Sequence, residues 1–239
     1  MEQDLTTGSV FKRIVYFSLP YLLSYFLQTL YGMADLFITG QFYGVDTITA
    51  VSNGSQIMHM MTVIIVGLAM GTTVTIGHSV GAKCMEQAEK IIGNTITLFM
   101  GIAVAFTVIL VVLVKPIVVL IATPQEAVAG TSIYLLICFI GIPFITAYNI
   151  ISSIFRGLGD SKSPMYFIGI ACVMNIALDY LFMGAFHMGA AGAALGTVCA
   201  QTFSVLVALW VIRRRKTGIS LKKSDFKIER AVIGQVLKI

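Results

Sequence analysis

Six long apolar stretches alternate with short polar connections along these 239 residues. The stretches run over 14–38, 48–77, 91–114, 128–151, 165–184 and 190–212. Each reaches the roughly 20 residues that an α-helix needs to cross a hydrocarbon core of about 30 Å. Strands of membrane barrels instead alternate over about 10 residues. The pattern therefore predicts an all-α integral membrane fold, with six transmembrane helices forming one bundle.

The composition supports a membrane protein and excludes several other classes. Hydrophobic residues make up 57% of the chain and charged residues 11%, with a mean hydropathy of +0.91. So little charge cannot cover the outside of a soluble domain of this length. The sequence contains no phosphate-binding P-loop, HExxH or GxSxG pattern, so we predict that the protein is not an enzyme.

The basic residues indicate how the bundle is oriented. Fifteen of the sixteen Lys and Arg residues fall on one side of the predicted spans, and Lys115 alone falls on the other. The positive-inside rule then predicts a multi-pass protein of the plasma (inner) membrane with both termini cytoplasmic. The basic run at 213–216 adjoins a helix end and has no interleaved aromatic residues, so we expect no nucleic-acid partner.

The chain divides into a cytoplasmic N-terminal tail at 1–13, the bundle at 14–212 and a basic cytoplasmic linker at 213–239. The end of the linker, 231–239, turns apolar and resembles the approach to the first span. Because transporters are often built from two repeats, we expect this segment to lead to a second six-helix bundle in a missing C-terminal half. A second copy of the chain could supply that bundle instead. A short amphipathic tail on the membrane surface is the alternative.

Two of the eleven acidic residues lie inside the apolar stretches, Asp35 in the first and Asp179 in the fifth. A carboxylate in hydrocarbon costs roughly 2.5–3.5 kcal/mol on insertion scales, so its retention indicates a function. In the first stretch Tyr21, Gln28 and Asp35 share one helical face, which predicts contact with a wet cavity. Pro20 precedes this face and is expected to kink the helix.

Oxygen-bearing side chains on two further stretches could complete a site. Asn175 and Asp179 are spaced i, i+4, and so are Thr197 and Gln201. Carboxylate, amide and hydroxyl oxygens can coordinate a hard cation or hold a proton, so we expect H⁺ or Na⁺ at Asp35 and Asp179 and no other cofactor. The two aspartates could instead be polar contacts between helices, or the dyad of an intramembrane protease.

Several segments resemble the multidrug and toxic compound extrusion (MATE) transporters, in the right order and at the right separations. They are 156–164 (RGLGDSKSP), 175–180 (NIALDY), 189–197 (GAAGAALGT), 19–20 (LP) and 28–31 (QTLY) followed by Asp35. The resemblance implies two pseudo-symmetric bundles of six helices that export drugs in exchange for H⁺ or Na⁺. This chain resembles the N-terminal bundle alone.

The resemblance also implies residue roles. A cation site would contain Asp35, Asn175, Asp179 and Thr197, with Tyr134 beside it. From the shared helical faces we expect Tyr21, Gln28 and Gln201 to line the cavity together with Tyr134. We therefore expect a secondary active antiporter for amphipathic or cationic organic compounds, in which ion uptake rearranges the first helix about Pro20. The alternatives are a flippase of the same superfold, which moves lipid-linked sugars, and a truncated membrane partner that does not transport.

Overall fold

A computed structural model describes residues 9–214 and 222–237, and within these ranges the ordered elements are all helical. The α-helices are α1 (Val10–Phe42), α2 (Val45–Gly81), α3 (Met85–Leu120), α4 (Gln125–Ile140), α5 (Ile142–Gly157), α6 (Lys162–Asp179), α7 (Gly189–Arg214) and α8 (Arg230–Leu237). A π-helix, Tyr180–Ala185, follows α6, and a 3₁₀ helix, Lys223–Phe226, precedes α8. The predicted all-α fold is confirmed.

Five spans meet a test of length and apolar composition within the described residues: α2, α3, α6 with its π-helix, α7, and the bent α4–α5 pair taken as one. The remaining predicted span is the first along the chain, α1, which has 33 residues and is long enough to cross a membrane. It does not meet the test because tyrosine, serine and glutamine residues interrupt its apolar sequence. The helix continues through Pro20 without a break, and the kink expected there stays a prediction.

The fourth predicted span, 128–151, is divided into two helices bent by 52°. Pro143 lies in the first turn of α5 and has no amide hydrogen to continue the helical ladder. Gly141 joins the two helices, and a Cβ there would lie 2.5 Å from Val198 Cγ2 on α7. The bend therefore lies where a proline removes a hydrogen bond and a glycine permits close packing.

The fifth predicted span also departs from a regular helix. After Asp179 the chain enters the π-helix, in which the Phe186 amide donates to the Leu181 carbonyl at 3.0 Å. The Tyr43 hydroxyl donates to the Met183 carbonyl at 3.1 Å and accepts from the Gly189 amide at 2.9 Å. These bonds hold the π-helix between α1 and α7. Irregular turns of this kind often occur at functional sites.

The helices pack as one bundle, and glycines lie where several of them cross. Helix α2 packs on α4 and α5, while α6 packs between α1 and α7. Gly54 faces the ring of Tyr134, and a Cβ at Gly157 would lie 2.8 Å from Ile76. Such glycines let helices approach closely, as expected where lipid provides no hydrophobic drive for association. Many large apolar side chains point outward, as a lipid-facing surface requires.

The described part of the predicted linker packs against the bundle. Asn94 of α3 donates to the Asp225 carbonyl at 3.1 Å and accepts from the Glu229 amide at 2.7 Å. A Cβ on Gly71 would collide with the Val236 carbonyl of α8. The remaining linker residues 215–221 and 238–239, and tail residues 1–8, lie outside the described residues.

Candidate functional site

The two intramembrane aspartates meet in the centre of the bundle. Asp35 is on α1 and Asp179 is the last residue of α6, and their exposed fractions are 2% and 0%. Their carboxyl groups lie close enough to interact, although the residues are far apart in sequence. The site therefore depends on the packing of α1 against α6.

Two neutral side chains complete the immediate surroundings of these carboxyl groups. Asn175 Nδ2 donates to Asp179 Oδ1 at 3.3 Å, one helical turn away on α6. Thr197 Oγ1 of α7 donates to Asp35 Oδ2 at 3.3 Å. The four residues that the resemblance implies for a cation site thus lie together, on three helices.

Several oxygens around this cluster face no hydrogen-bond donor from the described part of the chain. They are Asp35 Oδ1, Asp179 Oδ2, Asn175 Oδ1 and Gln201 Oε1, and the buried Tyr31 hydroxyl also has no partner there. A buried polar atom without a partner costs about 1–3 kcal/mol. Converging oxygens of this kind are the ligands that hard cations prefer. Within the described residues no three His, Cys, Asp or Glu side chains group together, so a cation would rely on two carboxylates and neutral oxygens.

Tyr31 is a member of the site that the sequence reasoning did not identify. It lies one helical turn before Asp35, and its hydroxyl is buried although the residue as a whole is partly exposed. Its i, i+4 spacing to Asp35 was the available signal. A tyrosine in an apolar stretch is equally typical of a membrane interface, so the spacing alone did not distinguish the two roles.

A cavity of about 130 Å³ opens beside the aspartates and can hold several water molecules. Its lining residues are Gln28, Tyr31, Gly32, Asp35, Ser55, Met58, His59, Thr62, Tyr134, Ile145, Tyr148, Asn149, Thr197 and Gln201. Three of the four residues predicted for a cavity, Gln28, Tyr134 and Gln201, are among them. Asp35 provides the carboxyl group that reaches the cavity, while Asn175 and Asp179 lie behind it. We call this space the main cavity.

The fourth predicted residue, Tyr21, lies apart from the main cavity, nearer the N-terminal end of α1. Its hydroxyl is 3.3 Å from that of Tyr25, and the Arg156 guanidinium lies 5.0 Å from the centre of its ring. Arg156 was expected in the connection after the fourth span. It lies instead in the last turn of α5, where it lines a second cavity of about 30 Å³.

A glycine gives Asp179 the space it occupies. A Cβ at Gly196 on α7 would collide with Asp179 Oδ1 and would lie 3.3 Å from Asp179 Cγ. The same Cβ would lie 3.5 Å from Asn175 Nδ2. Gly196 and Gly192 form a GxxxG spacing, a pattern that lets helices approach closely. The contact of Gly196 with a carboxylate relates that packing directly to the site.

Comparison with known proteins gives consistent matches. The MatE family model matches residues 20–181. The probable multidrug resistance protein YpnP of Bacillus subtilis is 33% identical over 231 residues, covering 96% of this chain and 52% of YpnP. An outward-facing multidrug resistance MATE family transporter of the MOP superfamily is 26% identical, with a TM-score of 0.88 over 97% of this chain and 51% of the other.

Another similar structure belongs to a protein for which a different function has been suggested. It is a MOP superfamily transporter from Pyrococcus furiosus, described by a reverse polarity of its binding pocket that suggests a different function. It is 26% identical, with a TM-score of 0.89 over 98% of this chain and 52% of that one. The chain spans about half the length of the curated relatives it matches. With a family model that matches most of its helical bundle, the chain belongs to the MatE family, whose members are membrane transporters and not enzymes.

Proposed function

We propose that this chain is the cation-coupling bundle of a secondary active antiporter, which exports amphipathic or cationic organic compounds in exchange for inward H⁺ or Na⁺. One observation carries the proposal: the buried carboxyl groups of Asp35 and Asp179 lie together beside a cavity, with Asn175 and Thr197 bonded to them. The matched relatives named for multidrug resistance or multidrug export support the choice of cargo.

The contact between the carboxyl groups explains why an ion would bind. Two carboxylates side by side in a buried site repel each other strongly when both are charged. The pair therefore takes up a proton, which removes one charge, or a metal cation, which offsets the charges. For two like charges 4 Å apart the repulsion is about 4 kcal/mol at an effective dielectric constant of 20. Reversing a two-state equilibrium from 1:99 to 99:1 takes about 5.5 kcal/mol, so loading one ion supplies an energy of the right size.

The positions of the two aspartates indicate what would move. Asp35 belongs to α1 and Asp179 to α6, so an ion between them holds these helices together. Loss of the ion leaves a repulsion that favours their separation. An ion that binds one arrangement better than the other can drive the change only by that difference in affinity.

The lining of the main cavity favours an organic cation as cargo. Tyr134 and Tyr148 provide aromatic surface, and Asp35 supplies a carboxyl group. A positively charged amphipathic compound is attracted by both. Among the described residues no Lys or Arg lines this cavity, which disfavours the anionic sugar lipids of a flippase. Competition between cargo and ion for Asp35 would produce exchange.

The proposal includes a location and a partner. The bundle would lie in the plasma membrane with its basic end in the cytoplasm, as the distribution of Lys and Arg predicts. The similar solved structures are about twice as long as this chain, so a second six-helix bundle would close the cargo path. Either a further half of the polypeptide or a second copy could supply it.

The test uses the protein expressed from its own gene in everted membrane vesicles. An imposed H⁺ or Na⁺ gradient drives uptake of a fluorescent organic cation, and the gradient that works identifies the ion. Asp35→Asn and Asp179→Asn should each abolish gradient-driven uptake, because an amide cannot exchange an ion. Asp46→Asn is the matched control, since this exposed carboxylate in the first turn of α2 lies outside the site.

The outcomes separate the alternatives. Gradient-driven uptake that persists in Asp179→Asn would refute the role assigned to the aspartate pair. Failure of every variant, including the unaltered protein, would favour a partner that does not transport. Transfer of a lipid-linked sugar that is indifferent to both substitutions would favour the flippase.

A further inference from the structure

The two cavities of the bundle share walls. Gln28, Tyr148 and Asn149 line both the main cavity and the smaller cavity that contains Arg156. A series of polar groups therefore runs from Asp35 toward the end of the bundle where the basic residues cluster. The remaining polar groups of the smaller cavity are Ser24, Tyr25, Ser152 and Arg156.

Arg156 terminates this series with an uncompensated charge. Its Nη2 donates to Ser153 Oγ at 3.2 Å, and its guanidinium lies over the ring of Tyr21. Across residues 9–214 and 222–237 no carboxylate forms an ion pair with it. Ser152, which also lines the smaller cavity, is 2% exposed, and its hydroxyl has no hydrogen-bond partner in the same ranges.

We propose that Arg156 is a positively charged gate between the aspartate pair and the basic end of the bundle. While its guanidinium rests on Tyr21, a cation held at Asp35 and Asp179 cannot leave through the smaller cavity. This inference rests on the proposed coupling function and adds a residue that neither the relatives nor the sequence reasoning assigned to it.

Size and charge both support a gate. The smaller cavity, at about 30 Å³, holds only two or three water molecules, so a cation would have to pass next to the guanidinium. Fixed positive charge at a narrow point in a water-filled path excludes cations and protons in membrane channels. Among the residues lining this cavity no carboxylate offsets the charge.

The contact with Tyr21 provides a way to open it. Tyr21 and Asp35 lie on one uninterrupted helix, about 21 Å apart at 1.5 Å per residue. A displacement of α1 that follows ion binding at Asp35 would also move Tyr21 away from Arg156. The guanidinium would then lose its contact with the Tyr21 ring, and the path to the basic end would open.

The experiment measures ion leak without cargo. The protein expressed from its own gene is reconstituted in liposomes under a gradient of H⁺ or Na⁺, and dissipation is followed with a pH-sensitive dye or a sodium tracer. Arg156→Gln should leak about tenfold faster or more, since focused charge in a cleft changes local ion concentration and entry rates on that scale. Arg156→Lys retains the charge and should leak much less than Arg156→Gln.

Two further variants make the result specific. Lys83→Gln removes an exposed positive charge from the same end, outside both cavities, and should not leak. The double variant Arg156→Gln with Asp179→Asn should lose the leak, because the ion passes through the aspartate pair. A leak that survives in the double variant would show a general defect and overturn the inference.

Tyr21→Leu repeats the test with the arginine present. It removes the aromatic surface under the guanidinium and should also leak, which allows a decision if Arg156→Gln does not fold. If Arg156→Gln folds and leaks ions no faster than the unaltered protein, the gate is refuted. If only Tyr21→Leu folds, an unchanged leak rate in that variant refutes the gate. Failure of the coupling proposal is a separate result, because it is read from cargo uptake in Asp179→Asn alone.

Discussion

Replacing Gly196 with alanine should impair ion binding without removing any functional group. The added methyl group would collide with Asp179 Oδ1, so the carboxyl group must move away from α7. Its hydrogen bond from Asn175 Nδ2, at 3.3 Å, moves or breaks with it. The contact with Asp35 on α1 is then lost or lengthened, and the aspartate pair no longer presents a single site.

The size of the effect follows from the packing. Inserting a methylene-sized group into a well-packed interior costs about 1–3 kcal/mol. If this cost falls on the ion-loaded arrangement, apparent ion affinity should fall by about 5- to 150-fold. The collision involves a carboxylate that is fully buried and packed between helices, so relaxation by a simple rotation has little space.

The assay is the ion concentration that gives half-maximal cargo uptake in reconstituted liposomes. Gly101→Ala is the matched control: it makes the same chemical change within α3, where a Cβ would meet nothing within 4 Å. The half-saturating concentration should rise in Gly196→Ala and stay unchanged in Gly101→Ala. An unchanged value in Gly196→Ala, with the protein folded, would refute the reasoning that Asp179 must occupy this place to bind the ion.

Two predictions concern stability rather than transport. Asp160 accepts hydrogen bonds at the start of α6 from the Lys162 amide at 3.1 Å, the Ser163 amide at 3.0 Å and the Ser163 hydroxyl at 2.6 Å. Asp160→Ala should therefore destabilise the protein by about 0.5–2 kcal/mol in detergent thermal unfolding, and Asp160→Asn, which keeps an acceptor, by less; equal losses would contradict a capping role. Asn94→Ala should leave the Asp225 carbonyl and Glu229 amide without partners, at about 1–3 kcal/mol, and should speed hydrogen exchange across 222–237. Thr97→Val removes one bond to this segment, to the Phe226 carbonyl at 3.0 Å, and one within α3, to the Gly93 carbonyl at 3.1 Å, and should have a smaller effect. Exchange that responds more to Thr97→Val would show that Asn94 is not the main contact.

Local spacing was enough to predict those parts of the site that lie on one helix. Asn175 and Asp179 are one turn apart, and the hydrogen bond between them follows from helix geometry. The apolar stretches likewise predicted the helices, because a segment that must satisfy its backbone in lipid has few alternatives. Thr197 was indicated both by its spacing from Gln201 and by the resemblance, whereas Tyr134 came from the resemblance alone.

Features that depend on contacts between distant segments were not predictable in this way. The continuous apolar sequence of 128–151 predicts one span and gives no sign of the bend. The bend arises from Pro143 together with the close approach of Val198 to Gly141. The bonds from Asn94 to the linker join residues more than 130 positions apart. Arg156 looked like a loop residue because its charge suggested an aqueous end, and only the fold places it against Tyr21 beside a cavity.

The polar composition of α1 and its place at the site have one physical cause. Gln28 and Asp35 would destabilise a helix surrounded by lipid, because each polar side chain costs free energy in hydrocarbon. Both are tolerated because this face of α1 borders the main cavity. Polar contacts at Asp35 help to hold α1 against α6 and α7, so ion occupancy and the position of α1 must influence each other. By reciprocity an organic cation that favours a displaced α1 must lower the affinity of the pair for its ion, which is the thermodynamic requirement for exchange.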